Sequence, residues 1–236
     1  MNRRDDALPA AADKAVVVEA MFDRIAPRYD RMNRLLSLGL DGRWRRRTVS
    51  TLGLEPGSRV LDLACGTGDL CRELGARHLA AIGIDVSAGM LEHARTAAPL
   101  VRADVTALPV PDAGVDGVTC GFAMRNFTDL RAFLAECARV VRPGGRIALL
   151  EVAEPRNAVL RRGHAIWFRR VVPFVGGLLA DRAAYAYLPQ STVYLPAPDE
   201  LTALVTAAGF EHVRRELLAP GAAQLVTATR RFPQRA

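Results

Sequence analysis

Two hydrophobic periods take turns along this chain. Short, nearly continuous apolar runs alternate with longer stretches in which apolar side chains return every three or four residues. Over residues 14–36 the helical spacing puts Val17, Met21, Phe22 and Ile25 on one face, and Pro27 interrupts it, so two helical pieces meeting near Ala26-Pro27 are predicted. Gly39 and Gly42 lead to Trp44 and a basic helix ending near Leu52. The turn at 53–57 then delivers a first buried strand at 60–63. Further strands are predicted at 80–84, ending at Asp85; at 100–102, closing with Asp104; at 115–120; and at 146–152. Ser87 caps one intervening helix that runs through Ala94. Asp129 starts another, with Leu130, Phe133, Leu134 and Cys137 on its apolar face and Pro143-Gly144-Gly145 as its stop.

Repeated strand-helix alternation means an α/β fold, Rossmann-like, with a mostly parallel sheet flanked by helices and right-handed crossovers. Residues 153–197 break the rhythm. They are aromatic, basic and proline-punctuated, and are expected to form a lid inserted before the last helix at 199–208 and a closing hairpin of 210–217 with 224–229. Residues 1–13 lack periodicity and are expected to be a disordered tail. That leaves 14–236 as one domain, with a helical cap over 14–57.

Composition changes this picture little. At 236 residues, 50% hydrophobic and 24% charged, the chain has the make-up of a soluble globular domain with a full core. The net charge of +7 invites an anionic partner, but Lys14 is the sole lysine and the arginines are scattered, which reads as a general bias toward arginine. The runs worth watching are residues 43–47, Arg161-Arg162 and Arg169-Arg170. Cys65, Cys71, Cys120 and Cys137 show neither a C-x-x-C nor paired histidine spacing, so no disulfide framework and no metal site is expected. The first residues lack the apolar core of a signal peptide, and no stretch reaches the ~20 apolar residues that span a bilayer. The expected location is the cytoplasm, peripheral at the inner face of the membrane at most.

Candidate chemistry starts where the first strand meets Gly66-Thr67-Gly68. Ligands of open α/β sheets bind beyond the carboxyl ends of the strands, so residues 62–69 should floor a small-molecule pocket. A dinucleotide fingerprint would need a third glycine where Cys71 stands. Asp62 before the loop and Asp69 after it would repel a pyrophosphate and suit a ligand carrying an ammonium or a sulfonium. Asp85 stands where ribose hydroxyls are gripped, and Asp104 where an adenine edge would be met. The histidines are poor candidates for a base: His78, His93 and His212 lie in helix or strand contexts and His164 in the insertion.

The D-x-x-x-G-x-G pattern of Asp62, Gly66 and Gly68 resembles motif I of the class I S-adenosylmethionine methyltransferases, whose sheet has seven strands. The span from about Val17 to Thr229 resembles the ubiquinone/menaquinone biosynthesis C-methyltransferase family. Tyr29-Asp30-x-Met32-Asn33-x-x-Leu36-Ser37 running to Trp44 is one of its signatures, and Arg139-Val140-Val141-Arg142-Pro143-Gly144-Gly145 running to Glu151 is another. Met124-Arg125-Asn126 matches an Arg-Asn pair after the fourth strand. The resemblance implies S-adenosylmethionine contacts at Thr67, Asp85, Asp104, Val105 and Gly121, and C-methylation of a prenylated quinol such as demethylmenaquinol. Its expected partners are the lipid quinol, an anionic membrane surface and a second copy of the chain, without nucleic acid. Arg125 would stabilise the oxyanion of the ring directly or through a water, Asn126 orient the ring, and Tyr29 or Asp30 close the acceptor side and relay a proton. The sequence departs from the family at Asp41, where a histidine is usual, at Ala153, at Ala186 between two tyrosines, and at Gln190. Another phenolic or isoprenoid acceptor, an RNA methyltransferase and a non-catalytic binding protein stay open on the residues alone.

Overall fold

In a computed structural model, which describes residues 14–155, 157–167, 187, 190–218 and 220–233, the two hydrophobic periods resolve into a sheet with helices on both faces. Its strands are β1 (Arg59–Leu63), β2 (Ala80–Asp85), β3 (Leu100–Arg102), β4 (Val115–Gly121), β5 (Val141–Val152), β6 (Phe210–Leu218) and β7 (Ala223–Arg230). They form one seven-stranded sheet in the order β3-β2-β1-β4-β5-β7-β6. The first five pair in parallel, and β7 runs antiparallel to both of its neighbours. Strand order reverses between β1 and β4, and there the loops leaving the two strands diverge and open a crevice at their carboxyl ends.

The central strands read as continuous apolar runs because both of their faces are covered. Leu61, Leu63, Val118, Cys120, Ile147 and Leu149 belong to one buried cluster with α6 (Leu130–Val140) and α8 (Pro198–Ala207). Val60, Ala148 and Leu150 belong to the other, with α3 (Leu40–Leu52) and α4 (Asp69–Gly75). Adjacent residues along a strand point to opposite faces, so each cluster takes alternate positions.

The cap consists of α1 (Lys14–Ile25), a 3-10 turn at Ala26–Arg28, α2 (Tyr29–Leu36) and α3. Pro27 sits in the turn, as its missing N–H and fixed φ require. Val18, Met21, Ile25 and Met32 pack with Met90 of α5 (Ala88–Glu92) and with Tyr187, so the cap is seated on the strand-helix layer. That helix after Ser87 ends at Glu92, short of the expected Ala94.

Pro143-Gly144-Gly145 does not stop α6: the helix ends at Val140 and β5 begins at once with Val141. Pairing with β4 jumps from Val115↔Val141 to Gly117↔Arg146, so the Pro-Gly-Gly stretch is an irregularity within the sheet. The close approach demands glycine, since a Cβ on Gly145 would lie 2.7 Å from the Asp116 carbonyl oxygen.

Of the expected lid, the described residues include α7 (Ala158–Ile166) and a 3-10 turn at Ser191–Tyr194. Ala186 and the tail at 1–13 lie outside the described residues.

Candidate active site

The crevice beyond β1, β2 and β4 is a cleft roofed by α1, whose Ala15, Val18, Glu19 and Phe22 face it. Its floor is backbone. Gly66, at φ +55°, donates its N–H to Asp85 Oδ2 at 2.7 Å, and Ser87 N–H donates to Asp85 Oδ1 at 2.9 Å. Asp85 thus ties the glycine loop to the end of β2, and its carboxylate lines the cleft. Burial raises its pKa. Asp104 is exposed at the cleft edge, where its Oδ1 accepts from the N–H and hydroxyl of Thr106, both at 2.8 Å. Val105 and Gly121 complete the lining. A Cβ at position 121 would lie 2.8 Å from Leu70 Cδ1, so Leu70 takes the space of a side chain there.

Asp62, Thr67 and Gly68, also expected to contact the cofactor, are not among the residues lining the cleft. Gly68, at φ +82°, caps α4 so closely that a Cβ would lie 2.7 Å from Thr96 Cγ2. Thr67 is buried and donates its hydroxyl to Asp30 of α2. Asp62 lies within β1, not at the pocket floor where residues 62–69 were expected. Its carboxylate accepts from Thr119 Oγ1 at 2.9 Å and from the Cys71 thiol at 3.4 Å. Burial pushes its pKa up to about 7, against the lowering effect of those bonds.

A second, larger cavity of about 560 Å³ adjoins the cleft and shares Tyr29 and Phe122 with it. Its wall is apolar, with Leu36, Trp44, Val159, Leu160 and Trp167 among the lining residues, and polar groups gather at one side. Arg125 is 6% exposed and Glu151 0%, and Arg125 Nη1 meets Glu151 Oε1 at 2.5 Å. The same nitrogen donates to the Phe122 carbonyl at 2.7 Å, and Nε to Ser191 Oγ at 3.2 Å. Fixed from three sides, the guanidinium still borders the cavity. Asn126 lines the smaller cleft, and its Oδ1 accepts from the Tyr187 hydroxyl at 3.3 Å. Tyr29 packs edge-on against Phe22, with ring centroids 5.9 Å apart, and burial raises its pKa.

Sequence reasoning missed how the cavity is held. Asp41 pairs with Arg45 at 2.5 Å, and Arg45 reaches Asp69 at 2.9 Å. The Asp69 at the start of α4 is therefore neutralised from the cap rather than turned to a ligand. Phe122 adopts φ +59°, with Trp44 6.1 Å and the Arg45 guanidinium 5.9 Å from its ring. Only its place directly after the fourth strand signalled its importance. His78, His93 and His212 line neither cavity.

A seven-stranded sheet in this order, with a glycine loop and strand-end acids at the reversal, defines the class I methyltransferase fold. Solved structures share it: a SAM-dependent methyltransferase from Thermotoga maritima has a TM-score of 0.63 at 20% identity over 90% of this chain and 99% of its own. The [4+2]-cyclase SpnF has a TM-score of 0.66 at 16% identity over 92% and 96%. Because a cyclase shares the fold, the fold alone does not set the reaction. The family does follow from sequence: residues 10–230 match the ubiE/COQ5 methyltransferase family, and the chain belongs to it. It is 43% identical to the demethylmenaquinone methyltransferase of Roseiflexus castenholzii, over 95% of this chain and 98% of that one. It is 45% identical to that of Thermus thermophilus, over 87% and 97%. To the ubiquinone/menaquinone biosynthesis C-methyltransferase UbiE of Geobacter sulfurreducens it is 40% identical, over 84% and 82%. Among the described residues no helix is long and apolar enough to cross a membrane.

Proposed function

We propose that the chain transfers a methyl group from S-adenosylmethionine to a ring carbon of a demethylmenaquinol. The observation that carries this reading is the pair of adjoining cavities with opposite chemistry, meeting at Tyr29 and Phe122. The cleft is lined by three carboxylates, Glu19, Asp85 and Asp104, of which Glu19 also pairs with Arg102 at 3.0 Å, and by no arginine or lysine among its described lining. That set suits a ligand with an ammonium and a sulfonium, and Asp85 is placed for ribose hydroxyls. Bound there, S-adenosylmethionine supplies an electrophilic methyl group on sulfur. Names and identities of the relatives support the acceptor.

The chain's own residues orient the acceptor and favour its ionised form. Removing a proton from a quinol hydroxyl puts negative charge on oxygen and electron density on the ortho carbon. Arg125, held by Glu151 and Ser191, stabilises that oxyanion without reorganising. Asn126, braced by Tyr187, orients the ring, and Tyr29 closes the shared wall so that water is excluded. With the donor bound, that carbon would take the methyl group while S-adenosylhomocysteine leaves with the S–C electron pair, and the carbon's proton would pass through solvent to the ring oxygen, restoring the aromatic quinol.

The larger cavity's apolar wall suits the prenyl tail. Leu38, Val159 and Leu160 are exposed and line it, and Arg161 and Arg162 follow directly on α7. Such a mouth fits contact with an anionic membrane surface, from which the lipid would be drawn. The cap over 14–57 and the described residues within 155–167 of the insertion serve one domain as acceptor walls. Incubating the protein with S-adenosylmethionine and reduced demethylmenaquinol, with mass detection, should show gain of one methyl group on the ring. Donor binding without methylation would overturn the acceptor assignment.

A further inference from the structure

Among 32 basic residues the chain has a single lysine, and it is buried. Lys14, 5% exposed in the first turn of α1, donates its ammonium to the carbonyl oxygens of Arg125 and Phe127, both at 3.0 Å. The same nitrogen sits 3.9 Å from the centroid of the Tyr194 ring. Among the described residues no carboxylate pairs with it. A buried ammonium is held only where fixed dipoles or a ring face replace its water. Two carbonyls of one turn converging on a point suit a compact ammonium better than a planar guanidinium fork.

Position gives the contact its meaning. Four side chains of α1 roof the cofactor cleft, and the turn that Lys14 grips carries Arg125 and Asn126. The far end of α1 is fastened separately: Asp23 Oδ1 accepts from Ser87 Oγ at 2.6 Å and from Gly89 N–H at 2.9 Å.

We propose that Lys14 is a positioning residue, a latch that closes α1 over the methyl donor and, in the same contact, holds the Arg125–Phe127 turn toward the acceptor. Donor exchange requires its release. The inference rests on the donor placement proposed above, and its test separates the two. As the sole lysine, Lys14 and the α-amino group are the only amines open to reductive methylation with formaldehyde and a borane, and peptide mass resolves them. With saturating S-adenosylhomocysteine, methylation of Lys14 should slow at least ~tenfold while that of the α-amino group is unchanged. Equal Lys14 rates in protein that calorimetry shows to bind S-adenosylhomocysteine overturn the latch. Absence of that binding overturns the donor placement and the latch with it. Lys14→Met should weaken S-adenosylhomocysteine binding about tenfold and lower kcat. A lowered melting temperature with unchanged affinity and kcat would reduce Lys14 to a purely structural role and overturn the latch.

Discussion

The small cleft and the large cavity share a wall, yet they are built by different rules. The floor of the cleft is made of strand ends: its polar groups are backbone N–H groups and the acids Asp85 and Asp104, whose positions follow from the sheet register. The cavity is made of long side chains brought from α2, α3, α7 and the turn after β4, and its polar groups hold one another. A site of the first kind is rigid because the sheet is rigid. A site of the second kind depends on ion pairs between distant segments, such as Arg125 with Glu151 and Arg45 with Asp69.

Substitutions should separate the two halves. The largest effect is expected from Arg125→Met, which leaves the buried Glu151 carboxylate with two backbone N–H donors but no cation. It should cost about 3–5 kcal/mol of stability and at least ~100-fold in kcat, with S-adenosylmethionine affinity nearly unchanged. Denaturant unfolding, calorimetry and turnover measure the three, and normal turnover would remove Arg125 from the chemistry. Gly68→Val should do the converse. A left-handed non-glycine residue costs roughly 1–2 kcal/mol, and the contact with Thr96 adds to it, so donor binding should weaken ~tenfold or more while a lipid probe still enters the large cavity. Loss of both ligands alike would show that the halves are not separable.

A third change tests the layer beneath the cleft. The pKa of Asp62 is raised in the folded state to about 7, so between about pH 4 and 7 the folded protein holds a proton that the unfolded chain releases. Stability should therefore decline as pH rises through this window and level off above it. Asp62→Asn, neutral throughout, should flatten that slope in thermal melts and gain most at pH 8. A slope identical to the wild type would show that Asp62 is not its source. The smallest effect is expected from Leu160→Glu at the exposed mouth. It should reduce flotation with anionic vesicles a few-fold, since partial insertion of one such side chain contributes only a fraction of the about 1.5–3 kcal/mol of full burial, and leave donor binding intact.

What was legible in the sequence divides along the same line. Asp85, Asp104 and the Gly66–Gly68 loop could be placed because each ends an apolar run, and strand ends of a parallel sheet converge. The third strand, at 100–102, matches in its bounds. Asp62 shows the limit of that logic: one carboxylate looked like the next, but it lies inside its strand, and strand alternation turned it to Thr119 rather than to the cleft. Pro143-Gly144-Gly145 carried a strong stop signal that sheet pairing with β4 overrode. The cavity was less legible because its partners are far apart in the chain. Nothing near Arg125 names Glu151 or Ser191, and nothing near Asp41 announces Asp69. Lys14 did carry a signal, the lone lysine in an arginine-rich chain, but composition alone could not say what it touches.

The glycine loop is tied to the cap on both sides, by Thr67 to Asp30 and by Asp69 to Arg45. Whatever settles that loop also settles two of the helices that wall the neighbouring cavity. Linkage then runs both ways: by whatever factor one ligand tightens the other, the second must tighten the first. The order in which the two substrates arrive would then depend on these two ties, and the ease with which the spent donor leaves on them together with the Lys14 latch.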